Sequence, residues 1–340
     1  MAEIKSFPSR LGDQDLAASG DSAEANYNLF LKKFSGEVLT TFKEKQVFRG
    51  LHRVRTISSG KSAQFPVVGT ASANFHIPGE SIIQSDDGAS GPKYLSEVRH
   101  EEKIILVDHA RQASVLVAEL DELMNHYETR SIYATELGEA LANKADSTWA
   151  VVAAMAARAG ATLTGGNGGA QLTKDYDNAT ASTRAGHYMD AIYEAAQTLD
   201  EKDVPKDGRA VVIDPATYYL LLREKSAELI DQDVSPGNGS VAGATMKMAG
   251  GMPIYVTNHL AKNDTVISAG ETGARNDYSG TFTDSFGLCF HKDAFGTVEL
   301  KGLTFEMEYS IEYQAYLMVA KAVWGSNVLR PECAVEFQNA

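Results

Sequence analysis

VLVAELDELMNHYETRSIYATELGEALANKADSTWAVVAAMAARA, residues 115–159, is the longest helical signal in the chain. No proline falls between Pro92 and Pro205, so nothing there forbids a long helix. Leu120, Leu123, Met124, Tyr127, Ala134, Leu137, Leu141, Ala145, Thr148, Val152 and Met155 recur at helical spacing and predict one buried stripe. Glu119, Asp121 and Glu122 suit the positive end of the helix dipole. Gly160 and the cluster Gly165, Gly166, Gly168 and Gly169 end the pattern and read as a hinge. Some forty helical residues would span about 60 Å, more than a compact domain is wide. The stripe is not a sustained heptad with charged flanks, which predicts a spine crossing an elongated subunit and not a coiled coil. Gly138 disfavours the helix locally and marks close packing or a bend.

Upstream, residues 1–26 are polar and read as a flexible tail, and Tyr27–Lys45 reads as an amphipathic helix carrying Leu29, Phe30, Phe34, Val38, Leu39 and Phe42. Val47–Ile57 reads as extended and basic. Residues 58–107 form a long excursion. Residues 63–68 suit an edge strand because Pro66 cannot serve a central one, and Lys93–Val107 returns through Glu97, Arg99, Glu101 and Glu102. Turn residues lie between, at Pro78-Gly79, Asp86-Asp87-Gly88 and Ser90-Gly91-Pro92. Two long polar strands predict a two-stranded arm covered by another subunit, since an isolated ribbon is marginal in water.

Downstream, residues 179–303 read as an α/β unit. A helix is expected over Thr183–Leu199, a buried strand over Arg209–Ile213, and a helix capped by Asp214 with Pro215 in its first turn. A strand pair broken at Gly250-Gly251 and a strand over Phe286–Phe290 follow, with loops at 236–239 and 263–280. Leu303, Phe305, Met307, Tyr309, Ile311, Tyr313 and Ala315 alternate with polar residues, predicting a strand whose dry face lies on the spine helix. A turn at 325–327 and a last strand over Ala334–Phe337 complete the reading.

The chain has 340 residues and a net charge of −14. Leu29–Lys61 holds eight basic residues against Glu37 and Glu44, or +6, leaving −14 − 6 = −20 elsewhere. Docking of this basic segment on a neighbouring copy and a merely solvated charged face fit equally well. Nucleic-acid binding fits less well, because no helix-turn-helix, zinc-finger or aromatic RNA-binding pattern is present. The longest apolar run, Trp149–Ala157, is far too short to cross a bilayer, and the N-terminus lacks a signal-peptide core, so neither membrane insertion nor secretion is expected. Cys289 and Cys333 read as reduced structural thiols. Ser59-Gly60-Lys61-Ser62 matches the end of a phosphate loop, but Arg55 stands where its first glycine belongs. Ile104 replaces the second histidine of a zincin string begun by His100-Glu101. No catalytic, cofactor-binding or metal-ligating residue is therefore expected, and no enzyme activity.

Phe34-Ser-Gly-Glu-Val-Leu-Thr-Thr-Phe42 and Arg53-Val-Arg-Thr-Ile-Ser-Ser-Gly-Lys-Ser-Ala-Gln-Phe-Pro-Val67 closely resemble the N-terminal region of major capsid proteins from short-tailed phages (podoviruses) of the T-seven-like autographivirus group. Pro78-Gly79-Glu80, residues 122–131, Leu137-Gly-Glu-Ala-Leu141, Asp214-Pro215, Gly296-Thr-Val298 and Leu329-Arg-Pro-Glu332 are similar too. The resemblance runs from about residue 27 to about 337, densely in the first half and sparsely in 160–280. It implies the α+β Hong Kong 97-type fold: an N-terminal arm (1–57), a two-stranded E-loop (58–107), a peripheral domain (108–165 with return strands in 300–340) and an axial domain (166–299). It implies hexamers and pentamers of this chain tiling an icosahedral shell around double-stranded DNA, without sequence-specific binding. A scaffolding protein, a portal and, in some relatives, a decoration protein are the implied partners, with assembly in the host cytoplasm and residence in the virion. The subunit interface is expected to use Lys32, Lys33, Arg49, Arg53, Arg55 and Lys61 of the arm side, with Glu97, Arg99, Glu101 and Glu102 of the E-loop. The lysine–asparagine cross-link of some relatives has no counterpart here and is not expected. An encapsulin-like nanocompartment is the alternative within the fold. A soluble α/β enzyme or binding protein is the alternative outside it, and leaves the two-stranded arm unexplained.

Overall fold

The structure is a computed structural model. It describes residues 46–69, 71, 73–79, 81–82, 98–124, 130–163, 166–224, 239–240, 245–246, 248–261, 266–267 and 274–340. The expected tail, the helix over 27–45, the turns at 86–92, the loop at 236–238, and Lys32, Lys33 and Glu97 lie outside these residues. In chain order the strands are β1 (Arg53–Thr56), β2 (Ser62–Val68), β3 (His100–Leu106), β4 (Arg111–Ala118), β5 (Ala170–Lys174), β6 (Arg209–Ile213), β7 (Gly239–Ser240), β8 (Thr245–Met246), β9 (Met248–Ala249), β10 (Met252–Val256), β11 (Val266–Ile267), β12 (Gly280–Thr281), β13 (Ser285–His291), β14 (Phe295–Ser310), β15 (Ala315–Val328) and β16 (Ala334–Asn339). The helices are α1 (Glu119–Met124), α2 (Arg130–Arg158), α3 (Ala181–Glu201) and α4 (Pro215–Glu224).

Two sheets organise the chain. One is four-stranded in the order β1-β14-β15-β4, and the other six-stranded in the order β5-β16-β13-β6-β10-β9. Helix α2 packs against both, chiefly on β15, β16 and β4. This explains its C-terminal half. Trp149, Ala150, Val151, Val152, Ala153, Ala154, Ala156 and Ala157 are all buried, because small side chains let two sheets approach one helix from different sides. The expected single stripe therefore holds only for its first turns.

The spine is shorter than the sequence predicts. Val115–Ala118 belongs to β4, in antiparallel register with β15 from Ala118↔Ala315 to Arg111↔Ala322. The branched run Val115-Leu-Val117 suits a strand as well as a helix, and β15 supplies the hydrogen-bond partner that settles the choice. Helix α2 keeps 29 residues, about 44 Å. Leu120 and Leu123, assigned to the stripe, are 66% and 75% exposed.

The C-terminal region also departs from expectation. The alternating run ends at Ser310, and residues 311–314 turn the chain, with Gln314 at φ 46°. Strand β15 then runs antiparallel to β14 from Ser310↔Ala315 to Phe295↔Val328. No turn occurs at 325–327. Gly325 continues β15, and a Cβ there would collide with the Leu106 carbonyl oxygen. The glycine serves close approach and not a turn. The last strand, β16, lies between β5 and β13 in the six-stranded sheet.

Other elements follow the sequence. All of β6 is buried. The Asp214 carboxylate accepts the Thr217 N–H (3.1 Å), capping α4. Gly250 and Gly251, at φ 57° and 76°, form the two-residue turn that pairs β9 with β10. The expected glycine hinge is instead a packed junction. The Gly169 N–H donates to the Ala159 carbonyl (2.9 Å), and a Cβ on Gly169 would overlap the Ala157 carbonyl. Among the described residues no helix is long and apolar enough to cross a membrane.

Candidate assembly interface

The two-stranded arm is present. β2 and β3 pair antiparallel from Ser62↔Leu106 to Val68↔His100, with Pro66 on a ribbon that has no third strand among the described residues. One face is dry: Ala63, Phe65, Val67 and Ile105 pack with Val107, Val298 and Leu329 in a small separate core. The ribbon is thus seated on its own subunit along one side. The other side is exposed, with Glu102 beside Val68, Ile104 and Leu106, while Glu101 is exposed opposite Val67 at the outer end of the dry face. The Arg99 carbonyl accepts the Gly69 N–H (2.8 Å), and the Lys61 carbonyl accepts the Val107 N–H (2.9 Å). Arg99 and Lys61 are both exposed.

The arginines of the N-terminal segment behave differently from the ribbon charges. β1 runs parallel to β14 from Arg53↔Gly296 to Thr56↔Glu299. Arg53 meets Asp293 at 2.8 Å and Arg49 meets Glu299 at 3.6 Å. Arg55 donates to the Gln64 carbonyl (2.9 Å) and lies 5.8 Å from the Phe65 ring centroid. These cations tie the segment to its own body. Each exposed pair contributes up to about 1 kcal/mol.

Two buried polar knots fix the chain on either side of the ribbon. In the first, His52 sits between Trp149 (4.7 Å) and Phe295 (4.9 Å). The Trp149 indole N–H donates to Ser326 Oγ (3.1 Å), Ser326 meets Thr297 Oγ1 (2.7 Å), Thr297 meets His52 Nε2 (2.9 Å), and His52 Nδ1 meets the Phe48 carbonyl (2.7 Å). Read as one directed chain, each hydroxyl donates toward His52 Nε2 and Nδ1–H donates to Phe48. Burial drives the imidazole pKa down to about 4, with Arg49 adding to the effect against the Phe48 bond. The Asp146 carboxylate accepts the Val47 and Phe48 N–H groups (2.9 and 3.1 Å). In the second knot, Asp108 accepts from the Arg275 and Asn276 backbone N–H groups (2.8 and 3.1 Å), from the Asn276 amide (3.0 Å) and from the Tyr278 hydroxyl (2.6 Å). Asn276 also donates to the Leu106 carbonyl (2.7 Å) at the ribbon base. Sequence reasoning missed both knots, because their members lie up to 245 residues apart.

A third polar contact ties helix α2 to the six-stranded sheet. Arg158 at the end of α2 forms a bidentate pair with Glu336 of β16 (2.6 and 2.7 Å), and Glu336 is fully buried. That hydrogen-bonded pairing raises the arginine pKa. Cys289 and Cys333 are free and buried, and burial pushes both thiols up to about 12. They are inert at neutral pH. Among the described residues no cluster of potential metal ligands is present.

A large apolar surface stays uncovered. Leu303, Phe305, Met307 and Tyr309 of β14 and Ile311 and Tyr313 of the turn are between 39% and 82% exposed. Exposed apolar strips of this kind mark interaction surfaces.

The sequence family described as "Gp10A-like: Major capsid protein" matches residues 64–338. The chain belongs to this capsid protein family. It is 32% identical to the major capsid protein of Escherichia phage T7 over 94% of this chain and 93% of the relative. It is 30% identical to that of Enterobacteria phage T3, over 93% and 92%. The capsid structure of cyanophage P-SCSP1u superposes with a TM-score of 0.76 at 37% identity, covering 99% of both chains. The bacteriophage PhiM1 mature capsid shares the fold, with a TM-score of 0.71 at 18% identity.

As a member of the major capsid protein family, this α+β chain is a structural shell-forming protein of the virion, not an enzyme. Self-association explains features that would be odd in a solitary protein, namely a charged two-stranded ribbon and an uncovered apolar strand.

Proposed function

We propose that this capsid protein tiles hexamers and pentamers of an icosahedral shell around packaged double-stranded DNA. Assembly begins on a scaffolding protein, with a portal ring at one vertex. The observation that carries the reading is the ribbon. One face is seated on its own subunit, while the outward face, with Glu102, Ile104 and Leu106, is exposed toward a neighbouring copy. Residues 58–107 act as the E-loop, residues 108–165 with β14 and β15 as the peripheral domain, and the six-stranded sheet as the axial domain. Arg49, Arg53 and Arg55 serve the interface indirectly, by fixing the segment from which the ribbon departs. The acidic body repels phosphate, so the wall does not hold the DNA it encloses.

The test is electron microscopy of particles from cells expressing the chain with a scaffolding protein of its phage. Closed shells of hexamers and pentamers, with ribbons lying across subunit boundaries, are expected. Particles from infected cells should protect double-stranded DNA from nuclease. Shells that hold only protein cargo, or a chain that stays monomeric under all these conditions, would sink the reading.

A further inference from the structure

A guanidinium taken out of water is normally matched by an acid, because burying the charge alone is costly. Arg158 meets Glu336 and Arg209 meets Asp200 in this way. Arg111, the first residue of β4, does not. It is half-buried, yet among the described residues it pairs with no carboxylate. Its guanidinium carbon lies 4.2 Å from the Trp324 ring centroid and 5.9 Å from that of Tyr278. Nη1 donates to Thr148 Oγ1 (2.8 Å), and that hydroxyl donates to the Lys144 carbonyl (2.8 Å). The Nε and Nη2 donors have no protein acceptor among the described residues. Aromatic contact and one hydrogen bond thus hold the planar group in place, with most of its donors unused.

That guanidinium lines a cavity of about 390 Å³ at the start of β4, a volume within the range of small-ligand sites. Residues 108–113 form one wall, Ala140, Leu141 and Lys144 of α2 form another, and Ala274 contributes a third side. Two cations, Arg111 and Lys144, line it against one acid, Asp108. That acid already accepts from the Arg275 and Asn276 backbone N–H groups, the Asn276 amide and the Tyr278 hydroxyl, so its acceptor capacity is spent away from the arginine. The lining is therefore net positive in a chain whose charge is −14. We propose that this cavity binds a phosphate-class oxyanion, inorganic phosphate or a small phosphomonoester, with Arg111 as its principal contact and Lys144 as the second charge.

The chemistry of the donors selects the ligand. Nε and Nη2 of one guanidinium lie in a plane and fit two oxygens of one tetrahedral anion side by side. Lys144 stands one helical turn before Thr148 and supplies a point charge from the α2 wall. An apolar ligand would leave the arginine uncompensated, whereas an oxyanion gives it the partner that Arg158 and Arg209 find within the chain. The bound anion also has a structural consequence. β4 is an edge strand of the four-stranded sheet, and the anion bridges it to α2, so the ligand stabilises the folded subunit.

Inorganic phosphate is titrated into the full-length, unassembled chain at about pH 7.5, where it carries close to two charges, with sodium chloride holding the ionic strength constant. The phosphorus NMR line should broaden in proportion to added protein, and the thermal midpoint should rise by a few degrees. Arg111→Lys keeps the charge and an aliphatic stem beside Trp324 but loses the planar fork, and should weaken binding about ten-fold. Ala140→Glu, at an exposed position of the α2 wall, sets a carboxylate one turn from Lys144 and should abolish the broadening. Its midpoint in chloride alone should equal or exceed that of the parent chain, which separates lost binding from lost folding. Absence of broadening with the parent chain would overturn the proposal. Equal affinity in the parent and Ala140→Glu chains would overturn it too. With shells that fail to close, that result would show the cavity receiving a carboxylate of a neighbouring copy, and with normal shells it would show phosphate binding elsewhere.

Discussion

Acid should loosen the attachment of the N-terminal segment, and the His52 knot sets the size of the effect. The imidazole is neutral in the fold, with its pKa lowered from 6.5 to about 4 by burial between Trp149 and Phe295. A base whose folded pKa is depressed binds more protons when released than when packed. The stabilisation is therefore complete above pH 6.5, declines as pH falls toward 4, and levels off below. At about 1.36 kcal/mol per pH unit, the interval corresponds to about 3 kcal/mol. Other charges face this region. Arg49 lies on the same turn and pairs with Glu299 of β14, and Asp146 of α2 caps the Val47 and Phe48 N–H groups. The comparison is made with His52→Gln, which cannot titrate, so that contributions from other groups cancel. The assay is amide hydrogen exchange of Phe48–Thr56 in assembled particles between pH 4 and 7, corrected for intrinsic rates. Protection in the parent chain should fall roughly 100-fold across the interval, against a much shallower change in the variant. A flat parent profile, protection that rises toward acid, or equal slopes in both chains would refute the reasoning.

Three further outcomes follow from particular contacts. Arg158→Ala leaves the fully buried Glu336 carboxylate without its cation and should cost about 3–5 kcal/mol in chemical unfolding, whereas Arg158→Met with Glu336→Leu should recover most of it. Asn276→Ala removes the donor to the Leu106 carbonyl and should speed exchange of the Leu106 and Val107 amides, while the β6 amides stay protected; equal acceleration in both places would argue against a local knot. Gly250→Val forces a branched side chain to φ 57° in the β9–β10 turn and should lower the thermal midpoint by several degrees, an effect that Gly186→Ala, in the open on α3, should not show.

What was legible in the sequence tracks the range of the forces involved. β6, the Asp214 cap and the Gly250-Gly251 turn were readable because each is decided within a few residues, by burial, a single side-chain acceptor or backbone conformation. The start of the spine was misjudged for the opposite reason. Val115–Ala118 satisfies helical and extended patterns alike, and only β15, some 200 residues on, decides between them. The turn expected at 325–327 failed on the same ground. Gly325 looks like a turn residue in one dimension, but its missing side chain is demanded by Leu106 on the ribbon. Of the expected interface residues, Glu101, Glu102, Lys61 and Arg99 lie exposed on the ribbon as their polarity suggested. Arg49 and Arg53 instead found acids in their own chain.

That last difference bears on how the shell holds together. A ribbon carrying weak, exposed charges gains little from each contact with a neighbour, so its orientation matters more than its individual pairs. The strong polar contacts lie elsewhere, in the Asp108–Asn276 knot at the ribbon base and the His52 chain behind the segment that feeds it. Both are buried, and both grip backbone carbonyls, at Leu106 and Phe48. Polar contacts are thus concentrated where the ribbon leaves the body, and its outward face carries only exposed charges. On the proposed assembly, a chain built this way fixes the direction of its ribbon within one fold, while each intersubunit contact made by exposed charges stays weak enough to break and re-form.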